Sequence, residues 1–159
     1  MITATIKIDD GSKGQREALA KRLKGMRNAS VTIGVHEDAG RYEGSDVSVV
    51  EVALWNEFGT KRIPERSFLR SALAGNEGLI NQWRAGVISG IIEGSLTVEK
   101  GLETLGFRIA ELVKNKIKSN VPPPLAESTA RDKKARGVAP VTLIDSTLLL
   151  RSISYRVHA

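Results

Sequence analysis

The chain contains no cysteine. Disulfides and thiolate metal sites are therefore excluded, and the absence fits synthesis in a reducing cytoplasm. Aromatic residues make up only 4% of the sequence, which leaves no stacking platform for single-stranded nucleic acid. There are two histidines, His36 and His158, and neither has a partner at metal-ligand spacing. Glu37 and Asp38 beside His36 read as a solvated loop rather than a cation site. No apolar run reaches about 18 residues, so no membrane helix is expected. Met1 to Asp10 lacks an apolar h-region, so no secretory leader is expected either. G-x-S-x-G and G-x-x-x-x-G-K are both missing, and no His is placed to activate a Ser or Thr. The expectation is a protein that is not an enzyme, with no catalytic residues, no cofactor and no metal.

What is present is enough for one ordinary domain, 159 residues over 1–159, able to bury a core without staples. The formal net charge is +6, unevenly spread. Residues 1–60 carry eight Lys/Arg and nine Asp/Glu, whereas 61–159 carry sixteen and nine. A basic second half suits nucleic acid, an acidic protein surface, or merely a solvated face. Lys114 to Arg136 is its densest part, with seven cations against Glu127 and Asp132.

Periodicity sets the fold class. Ile2, Ala4, Ile6 and Ile8 alternate with polar residues and predict a strand, as do Val31, Ile33 and Val35. Ile153, Tyr155 and Val157 predict a third strand that must return to the sheet for pairing. Ser12 and Gln15 have capping-box spacing ahead of a helix through Ala18, Leu19, Leu23 and Met26. Ser48 and Glu51 have the same spacing ahead of a helix that Gly59 ends. Pro64 suits the first position of a further helix, on which Arg66 and Arg70 would share a face. Asn76 to Leu96 is predicted helical, with Gly86, Gly90 and Gly94 on one face for close packing. Thr97 caps a helix through Leu102, Leu105, Ile109, Val113 and Ile117, which the prolines from Pro122 terminate. Loops are expected over 37–46 and 121–140, with a loop or a loosely held helical turn between Leu125 and Pro140, and Asp145 is expected to cap a turn at Leu148 to Leu150. The order strand, helix, strand, several helices, strand indicates α+β: a small, mainly antiparallel sheet with helices on one face.

The most informative stretch is Val52 to Leu73, a helix–Gly–Pro–helix corner rich in aromatics and arginines. Phe58, Phe68 and Leu69 are expected to hold the corner together. Trp55 suits either core or contact. LWNEFGTKRIPERSFLRSAL resembles the E-F-G-T … I-P-x-R-x-F-L-R signature of tail-completion and virion-morphogenesis proteins of long-tailed bacteriophages. The terminal LIDSTLLLRSISYRV is similar to that family's closing L-I-D-T-G-x-L-x-x-S-I-x-Y pattern, in the same order along the chain. The strand VTIGVHED ahead of a Gly-containing loop is also family-like. One departure is Thr147, where the family has Gly, which implies a different local turn there.

The resemblance implies a structural virion protein at the neck or tail end, made in the bacterial host cytoplasm. It would dock as an oligomeric ring, six-fold or twelve-fold, between head connector and tail. Its partners would be copies of itself and neighbouring neck and tail proteins. DNA would pass through the lumen without sequence readout, and no membrane is involved. On this reading, partner contacts are expected at Trp55, Glu57, Arg62, Arg66, Arg70, Arg151 and Tyr155. Lys114, Lys118, Lys133, Lys134 and Arg136 are the candidates for facing DNA. The alternative is a basic nucleic-acid-binding module without enzymatic activity. A third reading, a hydrolase of lysis or assembly, needs a catalytic set that the sequence does not contain.

Overall fold

Val31, Ile33 and Val35 need a second apolar row to cover their backbone and side chains, and the end of the chain supplies it. The computed structural model of the chain describes residues 12–145 and 147–159. Strand β1 (Ser30–Val35) pairs antiparallel with β2 (Ile153–His158). The register sets Val31 opposite Val157, Ile33 opposite Tyr155 and Val35 opposite Ile153. Because side chains alternate, this places one apolar row on the inner face and Thr32, Ser154 and Arg156 on the outer one. The expected return of the C-terminal strand is borne out. The Ile2 to Ile8 strand lies outside the described residues.

Around this hairpin stand seven helices among the described residues: α1 (Ser12–Met26), α2 (Val49–Phe58), α3 (Leu69–Ala74), α4 (Glu77–Glu93), α5 (Val98–Lys118), α6 (Glu127–Ala135) and α7 (Leu148–Ser152). The class is α+β, as the order of elements indicates. Helix α5 is the organising element, packing against both strands, α4 and α3. Its apolar stripe buries Leu105, Ile109, Val113 and Ile117, each contributing about 1.5–3 kcal/mol as a fully buried apolar side chain. Gly106 brings the hairpin onto the helix. A Cβ there would lie 2.6 Å from the Tyr155 ring and 2.8 Å from Val31 Cγ2. The main core joins Val113, Ile117 and Val121 to Val49, Ala53, Phe68, Ala72, Leu149 and Ile153.

Local side-chain caps explain the starts of α2 and α5. Ser48 Oγ accepts from Glu51 N at 3.1 Å while Glu51 Oε2 accepts from Ser48 N at 2.8 Å, the reciprocal box that opens α2. Thr97 caps α5 through Lys100 N. Other expectations are corrected. The helix expected from Pro64 begins at Leu69. The loop expected over 121–140 contains the nine-residue helix α6, and a 3-10 turn (Glu37–Ala39) opens the 37–46 loop. Asp145 does not cap α7. Its carboxylate lies 3.0 Å from Arg136 Nη2 and 3.8 Å from Lys133 Nζ. Thr147 keeps the positive φ a glycine would adopt, at φ 60° and ψ −3°, so the turn keeps the left-handed form and the Thr bears the strain.

Candidate functional site

The corner after α2 is built around a buried carboxylate. Gly59 leaves the helix at φ 73°, and a Cβ on it would meet Glu65 N at 3.0 Å. Thr60 Oγ1 then accepts from Arg62 N and Ile63 N, and Thr60 N donates to Ile63 O. Arg66 N donates to Asn56 O at 2.7 Å, so 60–66 doubles back along α2 in irregular form. This return carries the chain across the side chain of Glu57.

Glu57 is only 4% exposed. Its carboxylate accepts from Ser67 Oγ (2.8 Å), Phe68 N (2.9 Å), Leu69 N (2.8 Å), Arg70 N (3.0 Å) and Arg70 Nε (2.9 Å). A helix N-terminus leaves unpaired N–H groups and a positive dipole end, and this carboxylate satisfies both. That is why α3 starts at Leu69 rather than at Pro64. Burial pushes the Glu57 carboxyl up. The N–H groups of Leu69 and Arg70, the Ser67 hydroxyl and the Arg70 guanidinium outweigh it, and hold the group below its ordinary range. Arg70 Nη2 also donates to Glu57 O and Glu65 Oε1, and its guanidinium stacks 4.7 Å from the centre of the Phe58 ring.

Arg66 is 8% exposed and lies outside any helix, so it shares no helical face with Arg70. Its Nε and Nη2 donate to Pro123 O at 2.8 Å and Pro124 O at 3.1 Å. Glu57 and Arg66 therefore belong to the interior architecture, a correction to their expected place in a partner contact. Tyr155 is half-buried against α5 at Gly106. Trp55, Arg62 and Arg151 do lie on the surface. Phe58, expected to hold the corner, is 59% exposed, while Phe68 and Leu69 hold it.

Two chain segments far apart in sequence meet here. Helix α7, from the terminal segment, packs on α2, and Leu149 and Ile153 share a core with Val49, Ala53 and Phe68. On the outward side of α2, Leu54, Trp55 and Phe58 stay exposed. Leu54 and Phe58 border a groove of about 220 Å³ that also includes Ile33, Val35, Val50 and Leu69. Trp55 borders a shallower one with Lys61, Arg62 and Ile63. The result is an apolar ridge with cations along one margin.

The basic candidates divide. Lys133 is 6% exposed and donates to Val141 O and Ile144 O, so it does not face DNA. Lys114 pairs with Glu111 and Arg136 with Asp145. Lys118 and Lys134 are exposed.

The fold also assembles a group that spacing could not reveal. His36 Nε2 and His158 Nε2 lie 3.4 and 3.3 Å from the same Thr32 Oγ1, and His36 Nδ1 is 2.9 Å from Ser154 Oγ. Arg156 bridges to Asp38 beside them. Burial and then Arg156 hold the His36 pKa below its ordinary value, with Asp38 opposing and His158 adding to the depression. Among the described residues, no three His, Cys, Asp or Glu converge as a metal site, and no helix is long and apolar enough to cross a membrane. Comparison of the chain with protein-family models, with curated proteins and with solved structures gives no match.

Proposed function

We propose that this chain is a structural subunit of a tailed-phage virion, a tail-completion or head–tail joining component of the neck. Its mechanism is docking. Copies associate into a ring, and the ring engages neighbouring neck and tail proteins through the outward face of α2. The observation that carries the assembly reading is the exposure of Leu54, Trp55 and Phe58 together on one side of α2. Apolar residues gathered this way on a rigid helix, with Lys61 and Arg62 at the margin, have the make-up of an interface core and its rim.

The phage assignment rests on the resemblance of two segments, and the packing of α7 on α2 supports it. The residues of the E-F-G-T … I-P-x-R-x-F-L-R stretch act together: Glu57 caps, Gly59 turns, Arg66 ties and Phe68 fills. A set of residues bound so closely to one corner is what a shared fold would retain. DNA passing through the ring would meet cations such as Lys118 and Lys134 without base-specific contacts.

The test is removal of the gene from a phage that carries it. The expected result is separate heads and tails in the lysate and few infectious particles, restored when the gene is supplied in trans. Normal yields of joined, infectious particles would contradict the assignment.

A further inference from the structure

Helix α6 is fastened to the body chiefly by one buried side chain. Lys133 is the only residue of α6 that is buried, and it is a charged one. No helix or strand among the described residues packs broadly on α6. The chain on either side is firmly anchored. Ahead of α6, Arg66 holds the Pro123 and Pro124 carbonyls. Beyond it, the fully buried Thr142 donates to Val121 O, and Asn120 Oδ1 accepts from Thr142 N. Between these anchors the Lys133 ammonium donates to Val141 O at 2.9 Å and Ile144 O at 2.6 Å. The exposed Arg136–Asp145 pair adds little. Leu125, Ala130 and Val138 are only half-buried.

A helix of nine residues is not stable in water by itself and ordinarily owes its persistence to a buried apolar face. Here that face is replaced by two hydrogen bonds from an ammonium. Lys133 also lines a cavity of about 360 Å³, with Tyr42, Val47, Val52, Leu148 and Leu149.

We propose that residues 125–140 form a releasable strap, latched by Lys133, which detaches and loses its helix while the body stays folded. Release uncovers Lys133 and removes its part of the cavity wall, on a segment that already exposes Arg131, Lys134 and Arg136. Burial opposes the ammonium at this position, and Arg136 and Arg66 repel it, with Asp145 in partial compensation. The latch is therefore held by geometry against an electrostatic load. The inference goes beyond the docking reading and does not depend on it, because it concerns the isolated chain.

Hydrogen exchange read by mass spectrometry on the intact, unmodified protein tests it. Amides of α6 are expected to exchange at least ~100-fold faster than those of α5 and β2, as a separate opening unit. Trypsin is expected to cut first after Arg131, Lys134 or Arg136. Lys133→Met keeps the stem but removes the donors, and is expected to speed α6 exchange a further ~10-fold while α5 and β2 are unchanged. Equal protection of α6 and α5 in the unmodified protein would overturn the proposal. So would a Lys133→Met effect spread evenly over α5, α6 and β2. If that variant fails to accumulate, the exchange pattern of the unmodified chain decides alone.

Discussion

Replacing Glu57 by Ala should damage the fold itself, because the carboxylate sits inside it. The substitution removes the acceptor for three backbone N–H groups at the start of α3, for the Ser67 hydroxyl and for the Arg70 guanidinium. Arg70 is half exposed and can turn to water, so its loss counts for little. The Phe68, Leu69 and Arg70 amides stand at a buried or half-buried helix end and lose their partner outright. Unmaking such a set costs about 3–5 kcal/mol. A domain of this size has about 5–15 kcal/mol in total, so the variant should be folded but marginal. The thermal midpoint should fall by roughly 6–20 °C, at 2–4 °C per kcal/mol. Urea denaturation followed by Trp fluorescence and far-UV circular dichroism measures the loss. The effect should also depend on pH with a defined sign. The folded carboxyl titrates below its unfolded value of 4.5. Its stabilisation is therefore full above that value and is lost as pH falls through the folded pKa. The gap between Glu57→Ala and the unmodified chain should narrow below that value. A loss under about 1 kcal/mol would refute the reasoning, since that is what an exposed ion pair contributes.

Three further outcomes follow from named contacts. Thr147→Gly should raise stability by about 0.5–1 kcal/mol, because relief of a left-handed Thr outweighs the added freedom of Gly in the unfolded chain; denaturation midpoints show it. Gly106→Ala should lower stability by about 1–3 kcal/mol as the new methyl displaces the Tyr155 ring. Near-UV circular dichroism of the tyrosine should change with it. The depressed His36 pKa stabilises the fold fully above its unfolded value of 6.5, and this is lost as pH falls through the folded pKa. Thermal midpoints at about pH 7.5 and 5.5 should therefore differ less in His36→Asn than in the unmodified chain.

Much of the local structure was legible along the chain, because its causes are local. Ser48 and Glu51, Thr97, and the apolar stripe of α5 are each set by residues three or four apart. The hairpin was legible from period-two patterns whose apolar rows had to be covered. What was not legible depends on returns of the chain. Glu57 looked like one polar residue beside Trp55, and nothing near it announces that Ser67 to Arg70 will fold back over its carboxylate. The same return delays α3 and turns Arg66 inward to carbonyls of the proline segment. Phe58, expected beside Phe68 and Leu69 at the corner, is left outside on the outward side of α2, where the Arg70 guanidinium covers its ring. His36 and His158 read as isolated until the register of β1 and β2 sets them around Thr32. Helix α6 shows in the sequence only as a loop or a loose helical turn, because its polar face has no apolar counterpart and its buried anchor is a lysine. At Thr147 the fold kept a glycine's conformation without the glycine.

The most direct test of the docking account separates folding from assembly on one helix face. Leu54 and Phe58 should be replaced together by Asp, in a phage whose own copy of the gene is removed and supplied in trans. The account predicts a purified variant that still unfolds cooperatively with a urea midpoint only slightly lowered by loss of the Phe58–Arg70 stack, with joined infectious particles lost from the lysate. Undiminished particle yield from that folded variant would contradict it.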